Sequence, residues 1–172
     1  MASDPFALLG LEPRFDLDMA ELGARHRELS RALHPDRHAG KTPAERRHAL
    51  GKAIEVNEAF RTLKDPVSRA QAVLSSAGQS LEGQEPKPSP ELLMDMMEQR
   101  EALSEARQQR DAAALERLTA RIEARRSEVI AGLTEAFAQS GDLRSRVVPL
   151  LGELRYYARF LEEAGAIADE IY

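Results

Sequence analysis

An all-α fold in two parts is what the sequence predicts: an antiparallel helical hairpin with short flanking helices, then a three-helix bundle. Three observations carry this reading. Ala, Leu, Glu and Arg dominate, Trp is absent and aromatic residues make up 5%, a composition that favours helices over strands. Apolar residues recur at three- and four-residue spacing through most of the 172 positions, the period of a helix with one buried face. One polar stretch, residues 79–89, holds two prolines and one glycine and reads as a linker. It separates a first part, 1–78, from a second, 90–172.

The elements follow in order. Residues 5–9 predict a short helix, with Asp4 as N-cap, Pro5 at the first helical position and Gly10 as the stop. A second helix runs from Met19 to about Leu33 behind the cap Asp18. Its Leu22, His26, Leu29 and Leu33 share one face, and Pro35 ends it. The third opens on Thr42-Pro43-Ala44-Glu45, a capping box with proline in the first turn. Ala49, Ala53, Val56, Phe60 and Leu63 then repeat at 4, 3, 4 and 3. Asp65-Pro66 breaks the pattern, and a fourth helix from about Val67 to Ala77 ends at Gly78.

The second part predicts three longer helices. Ser89 caps and Pro90 opens the first, which reaches about Arg110. The next spans about Ala112 to Gln139, with Leu115, Leu118, Ile122, Val129 and Leu133 on one stripe, and Ser140-Gly141 ends it. The last starts at the Asp142 cap and runs to about Ala168, with Val147, Leu150, Leu154, Tyr157, Leu161 and Ala164 in register. Pro149 lies inside it and predicts a kink or an early break. Short turns between long helices imply antiparallel neighbours, hence an up-down-up bundle.

Bulk properties narrow the function. The net charge is -5, split as +1 over residues 1–78 and -6 over 79–172, so bulk nucleic-acid binding is not expected. With no Cys, disulfides and thiolate metal sites are excluded, which fits a cytoplasmic location. No apolar run approaches a membrane span, and Met1 to Phe15 lacks the pattern of a signal peptide. No catalytic triad is visible, and Gly40-Lys41-Thr42 lacks the earlier glycine of a phosphate loop. The chain is therefore not expected to be an enzyme. His34, Asp36 and His38, with His26 and His48 nearby in sequence, are the only metal-ligand candidates; without Cys or a helical His pair they predict no metal site.

The informative residues lie between the second and third helices: His34-Pro35-Asp36, then Arg37. Pro35 fixes its own φ and removes a donor, which predicts an open, non-helical loop. Asp36 offers a charged acceptor, worth about 1.5–3 kcal/mol against a partner cation. His34 follows a helix C-terminus, where its ring can bond free carbonyls or a partner. Such a tripeptide also occurs as an ordinary helix stop. Arg25, Arg27 and Arg31, with Arg37, compose either a cationic docking strip or a solvated face balanced by Glu21 and Glu28.

Together the residues resemble a known family. Phe6-x-x-Leu9-Gly10-Leu11, Leu22-x-x-x-His26-Arg27-x-Leu29, His34-Pro35-Asp36 and Asn57-x-Ala59-Phe60-x-Thr62-Leu63 look like a J-domain. Asp65-Pro66-x-x-Arg69-Ala70, then Leu92-Leu93-Met94-Asp95, Arg100-Glu101-x-Leu103 and Leu154-Arg155-Tyr156-Tyr157, are similar to the HscB type. In that type a J-domain is joined to a helical bundle devoted to iron–sulfur cluster assembly. The resemblance implies a co-chaperone without its own cofactor. Its loop and basic strip (His34, Pro35, Asp36, Arg25, Arg27, Arg31, Arg37) would stimulate the ATPase of a DnaK/HscA-class chaperone. Arg37 stands where lysine is common in the family.

The helix opening at Pro90 places Leu92, Leu93, Met94, Met96 and Met97 within six residues. On residue type alone these are either bundle core or a flexible, polarisable binding surface. The resemblance implies the second, with Leu93, Met94, Met97 and Tyr156 touching an IscU-type cluster scaffold protein. Met96 replaces a residue that is polar in many relatives. Two other functions fit the residues: a J-domain protein with a different client, and a structural helical interaction protein.

Overall fold

The computed structural model describes residues 4–79, 88–139 and 142–171. Among them every regular element is helical. The chain divides into two compact units, Met1–Glu82 and Gly83–Tyr172. Residues 80–87, most of the expected linker, and Ser140-Gly141 lie outside the described residues.

The first unit holds α1 (Pro5–Leu9), α2 (Met19–Ala32), a single 3₁₀ turn (Pro35–His38), α3 (Pro43–Lys64) and α4 (Pro66–Ser76). Local signals set these limits. Asp4 and Asp18 cap α1 and α2 through their carboxylates, and Gly10 closes α1 at φ +65°. At α3 the box is complete: the Glu45 N–H donates to Thr42 Oγ1 (3.3 Å) and the Thr42 N–H to Glu45 Oε2 (2.8 Å). Asp65 serves twice, ending α3 and capping α4 through Ser68, so α4 starts at Pro66, one residue before its sequence-predicted start. The core joins Phe6, Leu9, Leu22, Val56, Ala59 and Leu63, with Leu29, Leu33 and Phe60 packed against it. α1 thus covers one side of the α2–α3 hairpin.

Arg69 braces the corner where α3 turns into α4. Its side chain is buried, donates from Nη1 to the Leu63 carbonyl at 3.0 Å, and lies over the Phe15 ring at 4.8 Å. Burial lowers its pKa, and the nearby carboxylates of Asp65 and Asp16 partly restore it. A buried cation of this kind is held by its partners, because removing one leaves the rest unsatisfied.

In the second unit, α5 (Pro90–Gln109), α6 (Ala112–Ala138) and α7 (Leu143–Ile171) pack on one another. The stripe Leu115, Leu118, Ile122, Val129 and Leu133 is buried in full. Against it lie Val147, Leu151, Leu154, Tyr157, Phe160, Ala164 and Ile167 of α7. Two ion pairs link α5 to α7: Arg100 with Glu163 (3.9 Å) and Arg107 with Glu170 (2.8 Å). Both span the same interval along the chain, so α5 and α7 run parallel, as an up-down-up bundle requires. Pro149 does not break α7, which continues from Leu143 to Ile171. It sits in the second turn, where one lost hydrogen bond is offset by the buried Val147, Leu151 and Leu154 around it. Arg110 closes α5 in the left-handed region, at φ +51°, and its guanidinium donates to the Glu170 carbonyl at 3.0 Å.

A polar group is built into this bundle. Arg125 of α6 bonds the Asp95 carboxylate of α5, which with Tyr157 raises the arginine's pKa. Glu153 lies half-buried nearby, and burial raises its pKa against the opposing pull of Arg125.

Two stability predictions follow from these groups. Replacing Arg69 by Met removes the bond to Leu63 and the stack on Phe15, and is expected to destabilise the first unit by about 1–3 kcal/mol. An unchanged urea midpoint would show that the corner holds without it. For Glu153, a folded pKa above the ordinary glutamate value of 4.5 means that the ionised form opposes folding. Its favourable contribution is present at low pH and is lost as pH rises through the folded value. Glu153→Gln should therefore be more stable than the wild type at neutral pH, with the two unfolding curves converging below about pH 4.5. Parallel curves would refute that assignment.

Candidate functional site

The His34-Pro35-Asp36 segment is not the open loop that Pro35 suggested. It winds into one 3₁₀ turn with Pro35 in its first position, where a missing N–H costs nothing. His34 caps that turn: its Nδ1 accepts from the Asp36 N–H at 3.3 Å. This bond requires Nδ1 unprotonated, leaving Nε2–H as a donor. The Asp36 carboxylate lies 3.5 Å from the same nitrogen. The His34 ring and the Asp36 backbone thus form one capped unit on the surface, with the ring Nε2–H and the Asp36 carboxylate both exposed. No residue of the turn is buried.

The free carbonyls at the end of α2 are served by His38. Its Nε2–H donates to the Ala32 carbonyl at 3.1 Å, tying the far end of the turn back onto the helix. The sequence suggests that role for His34 and marks His38 only as a metal-ligand candidate. Among the described residues no group of His, Asp and Glu is arranged to hold a metal ion.

Below the turn, the hairpin is closed by a polar seam. The His26 ring stacks on Phe60 at 4.1 Å, and its Nε2 lies 2.8 Å from Asn57 Oδ1 and 3.3 Å from Ser30 Oγ. Ser30 in turn lines a shallow groove with Arg31, His34, Asp36 and Arg37. Sequence reasoning missed Ser30, for nothing in its type or spacing marks it out.

The four arginines separate. Arg27, Arg31 and Arg37 line one surface recess beside Ala24, Glu28 and Ala32. The Arg27 guanidinium lies over Gly23, where a Cβ would meet its Nη1 at 3.1 Å. Arg25 falls on the opposite flank of α2, two and six residues from Arg27 and Arg31, and lies 3.9 Å from Glu28. The expected strip of four is therefore a cluster of three, with Arg25 apart.

In the second unit, α5 sorts its apolar residues by face. Gln99, Leu103 and Ala106 are buried, with Leu92 and Met96 partly so, at spacings of 4, 3, 4 and 3. Leu93, Met94 and Met97 face outward, at 45%, 65% and 72% exposure. Tyr156 departs from the expectation of a surface contact. It is only 7% exposed, packs against Tyr157 and Phe160, and donates its hydroxyl to the Met96 carbonyl at 3.0 Å. Its ring fills the bundle because α7 turns position 156 inward beside Tyr157 and Phe160. It holds α5 from behind while Leu93, Met94 and Met97 form the outer face. Asp95 and Arg125 fasten the same two turns of α5 to α6.

Known proteins share this layout. The model of the DnaJ domain matches residues 4–72, and that of the HSCB C-terminal oligomerisation domain matches residues 88–165. The co-chaperone protein HscB homolog of Azoarcus sp. is 40% identical over 143 residues, covering 83% of this chain and 81% of that protein. The homolog of Neisseria meningitidis is 36% identical over 138 residues, covering 80% and 83%. Among solved structures, the chaperone HscB from Vibrio cholerae superposes with a TM-score of 0.82 at 30% identity, over 98% of this chain and 99% of that one. The human co-chaperone protein HscB gives 0.83 at 27% identity, over 95% and 81%. With a DnaJ domain in its first part and an HSCB C-terminal domain in its second, the chain belongs to the HscB family of co-chaperones.

Proposed function

We propose that this chain is a two-site adaptor acting in the cytoplasm. Residues 1–78 engage a DnaK/HscA-class chaperone and stimulate its ATPase. Residues 90–172 hold an iron–sulfur cluster scaffold protein of the IscU type, and residues 79–89 link the two. Bringing both partners onto one chain raises the local concentration of client at the chaperone, in the service of cluster assembly and transfer. The chain does no bond chemistry. It favours the hydrolysing state of its partner by binding that state better.

The observation that carries the proposal is the exposed His34–Asp36 unit, fixed at both ends and unused by the chain's own core. Beside it, Arg27, Arg31 and Arg37 offer clustered positive charge to an acidic surface, which speeds encounter. The exposed Leu93, Met94 and Met97 support the scaffold site. Three large apolar side chains left in water on one helix face are the mark of a surface that a partner covers. Tyr156, carried by the resemblance as a contact, is assigned here to positioning.

Two experiments test the two sites separately. His34→Gln removes the ring from the turn and is expected to abolish stimulation of single-turnover ATP hydrolysis while leaving scaffold affinity unchanged; normal stimulation would remove the loop from the mechanism. Met94→Ala with Met97→Ala should weaken scaffold binding by more than about 1 kcal/mol in titration calorimetry. Unaltered affinity would place the client elsewhere on the chain.

A further inference from the structure

With no Cys in the chain, all of its sulfur lies in five methionines. Three of them, Met94, Met96 and Met97, fall within about one turn of α5. Met1 lies outside the described residues.

Their surroundings set the sulfurs apart. Met97 is 72% exposed and Met94 65%, and neither sulfur accepts a hydrogen bond among the described residues. Met96, on the side of α5 that packs into the bundle, is half-buried. Met19 is 43% exposed, but its sulfur accepts a hydrogen bond from Arg69 Nη1 at 3.5 Å. That bond ties up a lone pair beside a cation and makes the Met19 sulfur a poorer nucleophile.

An open thioether reacts with hydrogen peroxide without help from the protein. The sulfur lone pair attacks one peroxide oxygen, and the S–O bond forms as the O–O bond breaks. The proton on the transferred oxygen passes to the departing hydroxide. Sulfur is oxidised by two electrons to the sulfoxide, and the peroxide is reduced to water. A flexible apolar side chain thereby becomes a polar one.

The backbone beneath is held independently of these two side chains. The Tyr156 hydroxyl donates to the Met96 carbonyl, and Arg125 bonds the Asp95 carboxylate. Leu93, Met94 and Met97 share the outer face. Oxidation at Met94 and Met97 therefore changes the chemistry of that face and leaves the fixing of α5 in place.

We propose that Met94 and Met97 form a peroxide-sensitive modification site whose sulfoxides release the scaffold protein from α5. This rests on the reading of the outer face of α5 as the scaffold site, to which it adds control by oxidant. Binding an apolar partner surface would strand each sulfoxide oxygen without a donor, and burying an unpaired acceptor opposes association.

In the test, the full chain is treated with hydrogen peroxide, freed of it, and only then mixed with the scaffold protein, so that the scaffold is never oxidised. Peptide mass spectrometry should find sulfoxide at Met94 and Met97 ahead of Met19 and Met96. The dissociation constant for the scaffold should rise about tenfold, with far-ultraviolet dichroism unchanged. Methionine sulfoxide reductases for both epimers should reverse the loss. Met19→Leu should lose affinity on treatment as the wild type does. Met94→Leu with Met97→Leu, whatever its starting affinity, should bind equally before and after. Loss of affinity in the treated Leu pair, or sulfoxide forming first at Met19 or Met96, overturns the proposal. Unchanged affinity of the doubly oxidised chain, with Met94→Ala and Met97→Ala binding weakly, overturns it and leaves the scaffold reading intact. Unaltered affinity in that Ala pair as well overturns both.

Discussion

His26 stacks on Phe60 and bonds Asn57 at the middle of the α2–α3 hairpin. Around that pair the apolar faces of both helices close on Phe6 and Leu9. The turn that carries His34 contributes nothing to this core, for all of its residues lie outside it. Its position is therefore inherited from the ends of α2 and α3. Leu33 ends α2 with a bond to the Leu29 carbonyl, and Thr42 starts α3 with a complete capping box. Between those two fixed points the chain has few residues to spare. His34 and His38 use their rings to stiffen it from within. A short turn clamped at both ends keeps its functional groups in one arrangement, and less order is then lost when a partner binds.

The second unit solves the opposite problem. Three large apolar side chains of α5 stand in water there without collapsing inward. An isolated helix with Leu92, Leu93, Met94, Met96 and Met97 in one stretch has two possible inward faces. The choice is made by polar groups. Tyr156 holds the Met96 carbonyl from α7, and Arg125 holds Asp95 from α6. Both contacts fall between Leu93 and Met97, so rotation of α5 about its axis would break two bonds to expose the other face. Buried or half-buried polar contacts add little net stability, but an unsatisfied group costs far more than it gains. That asymmetry fixes which face is presented.

Much of this was legible in the sequence, because local rules dominate an all-helical chain. The caps at Asp4, Asp18, Thr42 and Ser89 depend on residues within three positions of one another, and each forms as the residues dictate. The buried stripe of α6 follows from its spacing alone. Misreadings arose where packing, a cap or position around the helix overrode the plainest residue signal. Pro149 reads as a kink or an early break, yet α7 runs unbroken through it, packed on α6. Pro35 reads as an open loop, yet a cap from His34 permits a helical turn. Tyr156 is expected by resemblance to touch the scaffold protein, while its ring is buried in the bundle. Arg25 groups with Arg27 and Arg31 in sequence and parts from them on the helix, since neighbours two apart do not share a face.

The division of labour between charge and shape follows from the same geometry. The arginines beside the turn are exposed, so their attraction is long-ranged, fast and screened by salt. Charge of this kind speeds the arrival of an acidic partner but discriminates poorly between its conformations, because a diffuse field varies little when the partner changes shape. Discrimination needs groups whose fit depends on small displacements. The His34–Asp36 unit is of that kind, offering a donor and a carboxylate a few ångströms apart on a stiff turn. A ligand shifts an equilibrium only by its difference in affinity for the two states. Groups that are rigid, directional and few can carry such a difference, and they occupy the tip of the hairpin, while the adaptable methionines lie on α5.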